Sequence, residues 1–170
     1  MLWVKKGLGP QNDAQNFLWD FYVYVDEHTT ESVHALEYDL WLSQDHAEYM
    51  LGTQAHYPDG DGKPGHWDTW NQKDGHWVHN YDKPVSRFVP NQWHHLQWYM
   101  QRDASMQTYT YRTLVVDAGT EQEQVWKFDQ TQPTGPCDWA DAFGVQWQLD
   151  LDKDGIDARQ YIDKVSVTLW

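Results

Sequence analysis

Glu37 and Asp39 stand two residues apart in the segment His34-Ala35-Leu36-Glu37-Tyr38-Asp39. On a β-strand that spacing projects both carboxylates to one side, because side chains alternate between faces. Neighbouring carboxylates raise one another's pKa, which can leave an acid protonated near neutral pH. Glycoside hydrolysis uses two carboxyl groups flanking the scissile bond, about 5–5.5 Å apart for retention and 6.5–9.5 Å for inversion. Same-face neighbours on a strand lie roughly 6.5–7 Å apart at the backbone. Both would then sit on one side of the sugar, so hydrolysis needs an acid from across a groove. Glu48 and Asp68 are the candidates. The other reading is that Glu37 and Asp39 accept hydrogen bonds from indole N–H groups, Gln amides or ligand hydroxyls.

The second chemical signal is aromatic. The 170 residues include 12 Trp, 10 Tyr and 5 Phe. Flat rings pack pleated sheets and also stack on sugars. Trp41 alternates with Glu37 and Asp39, while Trp67, Trp70 and Trp77 flank Gly-rich turns. These four are the expected stacking rings. His56, His95, Gln97, Tyr99, Gln146 and Gln148 fall on the polar parity of their strands and are the expected hydrogen-bonding partners. Glu48, Met50, Gln54 and His56 share a parity on the strand after Glu37. Trp19, Trp98 and Trp147 share parity with aliphatic residues and read as core.

For metals, Asp150, Asp152 and Asp154 followed by Gly155 spell the opening of a calcium loop. Its twelfth position is Tyr161 rather than a bidentate Glu, and a turn between strands explains the same residues. Calcium is thus a candidate ligand, and no cofactor is required. Asp59-Gly60-Asp61 is a weaker candidate. A transition-metal site would have to gather ligands across strands, for instance His56, His66 and His95. Surface and groove histidines are the preferred reading.

The net charge of −14 disfavours nucleic acid, an anionic membrane surface or an acidic polysaccharide as partner. A neutral polysaccharide or oligosaccharide is the expected partner. The lone Cys137 precludes an intramolecular disulfide and a thiolate metal cluster. No apolar run approaches a membrane span of ~18 residues. The start Met1-Leu2-Trp3-Val4-Lys5-Lys6 is too short and mixed for a signal peptide.

These residues need a scaffold of strands. β-rich runs fall at 17–25, 34–42, 48–57, 66–72, 76–80, 92–102, 108–117, 121–129, 144–151 and 161–170. Turn chemistry separates them at Ser43-Gln44-Asp45-His46, at Lys73-Asp74-Gly75 and at Ala118-Gly119-Thr120. A short helical turn is predicted at Asp138-Trp139-Ala140-Asp141. Strands with turns roughly every 8–12 residues and little helix predict an all-β, two-sheet antiparallel jelly-roll sandwich. Residues 1–170 read as one domain with a concave ligand-binding face, its N-terminal strand short or trimmed.

Three segments resemble the concanavalin A-like lectin/glucanase superfamily, laminin-G-like modules included. Asn91-Gln92-Trp93-His94-His95-Leu96-Gln97-Trp98-Tyr99 resembles the Trp-His-His strand of those modules. Leu114-Val115-Val116-Asp117-Ala118-Gly119 resembles their next strand and Val-Asp-Gly turn, and Tyr161-Ile162-Asp163-Lys164-Val165-Ser166-Val167 their closing strand. The resemblance implies the sandwich fold, with a first strand that pairs with the last. Its glucanase branch carries Glu-x-Asp-x-x-Glu. Glu37-Tyr38-Asp39 matches the first half, but Leu42 and Ser43 stand where the final Glu belongs. A carbohydrate-binding module for a β-glucan-type polysaccharide is therefore placed ahead of a glycoside hydrolase using the same groove. Similar Trp-rich stretches in bacterial surface proteins imply a secreted or cell-surface setting. Protein–protein adhesion is a third class, expected to show a flat face with apolar patches.

Overall fold

The structure is a computed structural model that describes residues 2–7, 9, 13–58, 62–138, 140–151 and 157–170, with the side chains of 2–6 left out. Among the described residues, twelve strands and one short helix follow one another: β1 Leu2–Gly7, β2 Asn16–Val25, α1 Glu27–Ser32, β3 Val33–Gln44, β4 Ala47–His56, β5 His66–Asn71, β6 His76–Pro84, β7 Trp93–Arg102, β8 Thr108–Val116, β9 Gln124–Pro133, β10 Gly135–Pro136, β11 Ala142–Leu151 and β12 Gln160–Leu169. They form two antiparallel sheets, a sandwich of the jelly-roll type. The first runs β1-β11-β3-β4-β5-β6, with β10 added to β4, and the second runs β12-β2-β7-β8-β9.

The alternation in sequence explains the layering. β2 turns Phe17, Trp19, Phe21, Val23 and Val25 inward, and β7 does the same with Leu96, Trp98 and Met100. From the other sheet, β3 supplies Leu36, Tyr38, Leu40 and Leu42, and β11 supplies Val145, Trp147 and Leu149. Rings meet across the gap, Phe21 on Tyr38 at 5.2 Å and Trp19 on Trp147 at 5.5 Å. Tilted pairs of this kind add roughly 0.5–1.5 kcal/mol beyond the area they bury. The three core tryptophans expected from parity are all buried here.

The β3–β4 turn uses Asp45 at φ 50° and His46 at φ 64°. Left-handed φ at both central residues suits a two-residue hairpin. Asn71 organises the β5–β6 turn, where its carbonyl accepts from the Gly75 N–H at 2.9 Å and Gly75 takes φ 64°. Two sequence expectations are corrected. The helix lies at α1 and not at 138–141, where Asp138 and Ala140 are irregular and Trp139 is outside the described residues. Asp26 caps α1, its side chain accepting from the Thr29 N–H at 2.8 Å. That Asp before an acidic first turn was the available signal. Second, β1 exists but pairs with β11, whereas the last strand β12 pairs with β2.

Candidate functional site

The face of the first sheet that points away from the core carries the chemistry. Register sets its rows. Gln148, Glu37, Gln54, Asp68 and His79 stand opposite one another across β11, β3, β4, β5 and β6. The next row holds Gln146, Asp39 and Gly52 on β11, β3 and β4, continued by the paired Trp70 and Trp77 on β5 and β6. Trp41 opposes Met50 one row further, and His56 opposes His66 on the far side. The four strands β3, β4, β5 and β11 contain no Lys or Arg. An outer sheet face is ordinarily wet, yet Glu37 is 5% exposed and Asp39 1%. Most of the polar row is buried within that face.

Each carboxyl of the pair is met by an amide. Gln148 Nε2 donates to Glu37 Oε2 at 2.7 Å, and Gln146 Nε2 donates to Asp39 Oδ2 at 2.9 Å. Burial pushes the Asp39 carboxyl well above its usual range, and the charge of Glu37 beside it pushes further. Burial also raises Glu37, partly offset by a hydrogen bond with Asp39. Both carboxyls are thus held toward their protonated forms, Asp39 the more strongly. Gly52 is required beside this pair. A Cβ there would lie 2.7 Å from Asp39 Oδ1, 3.2 Å from Trp70 Cβ and 3.4 Å from Trp77 Cη2.

The rings that keep surface beside this row are Trp70 and Trp77, whereas Trp41, expected to stack on ligand, is buried at 8% exposure. Trp70 and Trp77 meet edge-on at 5.1 Å, and Trp70 Nε1 donates to Gln72 Oε1 at 2.8 Å. Both rings are half-buried, so each keeps surface toward solvent. Trp67 does not join them. It points inward, 1% exposed, with Trp98 at 6.3 Å, because odd positions of β5 face the core. His95, Gln97 and Tyr99 are also elsewhere, on the outer face of the second sheet. His95 bonds Asp20 at 2.9 Å and stacks on Tyr22, Gln97 donates to Asp20 at 2.7 Å, and Tyr99 donates to Asn16 at 2.9 Å. Strand β7 belongs to the opposite layer, so one groove cannot hold both sets.

The hydrolytic arrangement is not assembled. Glu48 opposes Ser43, six residues along the strand direction from the Glu37 row, or roughly 20 Å. Its carboxylate accepts from Gln72 Nε2 at 2.8 Å. Asp68 does lie in the Glu37 row, two strands away, but is fully buried. Burial pushes its pKa up, and hydrogen bonds from His56, Gln54 and His79 with the charge of His66 outweigh that and hold it below the usual carboxylate range. A group held ionised cannot serve as the general acid.

Of the candidate calcium loop, Asp152 and Asp154 lie outside the described residues, as do Asp59, Gly60 and Asp61. Asp150 is described, and its carboxylate accepts from Gln148 at 3.1 Å. The transition-metal grouping of His56 and His66 with His95 is corrected, since His95 is in the other sheet. His56 and His66 instead converge with Asp68 and His79, their ligand atoms all within 4.8 Å of one another. Sequence spacing could not join them, because four ligands on three strands meet only through register.

Three larger cavities lie away from this face, one of them of 430 Å³ beside Tyr24, Trp93 and Tyr161. One of 540 Å³ sits by β10 and the β3–β4 turn, lined by Gln44, Lys73 and Gln107 among others. One of 410 Å³ opens between residues 85–94 and the 116–124 segment, with Trp93 at its wall.

No known family model matches this chain, and no curated protein matches it. Among solved structures, it is similar to the galectin LEC-6 of Caenorhabditis elegans, at 9% identity over 97% of this chain and 91% of that one, with a TM-score of 0.41. The sandwich assignment itself rests on the strand order and register above.

Proposed function

We propose that this chain is a carbohydrate-binding module that takes a neutral polysaccharide of β-glucan type on the outer face of its first sheet. The observation that carries the reading is one sheet face that brings Gln146, Gln148, Glu37 and Asp39 beside the half-exposed rings of Trp70 and Trp77. Sugars present hydroxyls at the ring edge and apolar C–H groups on the face. Amides and carboxyls answer the first, and indoles the second. The absence of Lys and Arg from the four central strands removes the groups an acidic glycan, a nucleic acid or an anionic membrane would need. A polysaccharide ligand fits a secreted or cell-surface setting.

Calorimetry against a panel of soluble glucans tests this. Binding is expected for wild type and about tenfold weaker, ~1.4 kcal/mol, for Trp77→Ala. Trp93→Ala, in the 410 Å³ cavity, is expected to bind as wild type. Binding lost with Trp93→Ala and kept with Trp77→Ala would move the site, and no binding across the panel would end the reading. Wild type and Glu37→Gln are expected to release equal, background amounts of reducing sugar. Release by wild type that Glu37→Gln abolishes would restore the hydrolase.

A further inference from the structure

We propose that His56, His66, Asp68 and His79 form a binding site for a zinc-class divalent transition metal, a closed three-nitrogen, one-oxygen centre that staples β4, β5 and β6 together. His66 and Asp68 are two apart on β5, so they share a face. Register places His56 of β4 opposite His66 and His79 of β6 opposite Asp68. Side chains from three strands therefore converge on one point above the sheet.

The distances suit a metal. His66 Nε2 lies 3.1 Å from Asp68 Oδ1 and 3.3 Å from His79 Nδ1. His79 Nδ1 lies 3.0 Å from Asp68 Oδ1, and His56 Nδ1 lies 3.3 Å from Asp68 Oδ2. Four donors at bond lengths of about 2.0–2.1 Å around a tetrahedral ion stand roughly 3.3 Å from one another. The four donors all lie within 4.8 Å of one another, so the pairs beyond 3.3 Å close inward to reach that geometry.

The outer contacts point the same way. His66 Nδ1 donates to the Pro64 carbonyl at 2.9 Å, which leaves Nε2 facing the cluster. A backbone carbonyl fixing the remote nitrogen of a ligating histidine is the usual outer-sphere arrangement of zinc sites. Gln54 Nε2, donating to Asp68 Oδ2 at 2.6 Å, orients the carboxylate in the same way.

Three imidazoles favour zinc, cobalt, nickel or copper over calcium and magnesium, which prefer oxygen. Four protein ligands leave no open position, so the metal's role here is structural. Entry is from the edge of the sheet. The His79 side chain is 44% exposed, and a 30 Å³ cavity bordered by Tyr81 and Pro64 adjoins the cluster. Metal uptake is read without any glycan and is independent of the proposed function.

The test is zinc titration of the chelator-treated chain, with cobalt as a spectroscopic probe. One zinc per chain is expected, with a melting temperature raised by roughly 5–10 °C at a hundredfold excess over Kd. Cobalt should give the intense visible bands of a tetrahedral ion. His79→Gln, on the exposed edge strand, should keep the apo melting temperature within about 2 °C and weaken zinc at least tenfold. His56→Gln should weaken it similarly, and His76→Gln, exposed at the neighbouring turn, should not change it. Substoichiometric zinc, an octahedral cobalt spectrum, or undiminished affinity in His79→Gln would overturn the site.

Discussion

Replacing Asp39 with Asn should make the protein less sensitive to rising pH. The native carboxyl is buried, accepts from Gln146 on Oδ2 and lies beside the charge of Glu37. Its folded-state pKa is raised well above the 3.8 of the free group. Above pH 4 the unfolded chain therefore releases a proton that the folded chain keeps, and stability falls as pH rises until Asp39 ionises in the native state. One proton held only by the folded state changes stability by about 1.4 kcal/mol per pH unit. For 170 residues that is roughly 3–5 °C of melting temperature per unit. The Asp39→Asn amide would stand in for the protonated carboxyl, with a carbonyl for Gln146, and would carry no proton to lose. Denaturant unfolding of both proteins at half-unit steps from pH 4 to 7 measures the difference. The variant should gain on wild type by up to that slope as pH rises. A difference that stays constant across the range would refute a buried carboxyl that folding holds protonated.

Two further substitutions probe the same face and its reverse. Gly52→Ala would drive a methyl group into Asp39 Oδ1 and against Trp70 and Trp77, costing about 1–3 kcal/mol of stability by chemical denaturation. It should also weaken glucan binding as Trp77→Ala does. Trp67→Ala opens a cavity beneath Trp98 and should cost about 3–5 kcal/mol, well beyond the effect of Trp77→Ala at a half-exposed ring. Equal losses from the two would contradict the inward placement of Trp67.

The strands, the hairpin at Asp45-His46, the turn at Asn71–Gly75 and the inward Trp19, Trp98 and Trp147 are all legible in the chain. Each depends on local alternation or on the backbone preferences of a few adjacent residues. The carboxyl pair was legible for the same reason, since Glu37 and Asp39 share a strand. Strand β5 shows where local reading ends. Its two parities, His66-Asp68-Trp70 and Trp67-Thr69-Asn71, each mix a ring with polar groups, and only packing against Trp98 decides that the second faces the core. His95, Gln97 and Tyr99 had the polar alternation of a groove strand, yet β7 lies in the other layer, where Asp20 and Asn16 use their hydrogen bonds. The meeting of His56, His66, Asp68 and His79 is tertiary in the same sense. A period of two tells which residues of one strand share a face. Which strands lie side by side, and in what register, is set by long-range pairing between segments that the local sequence does not encode.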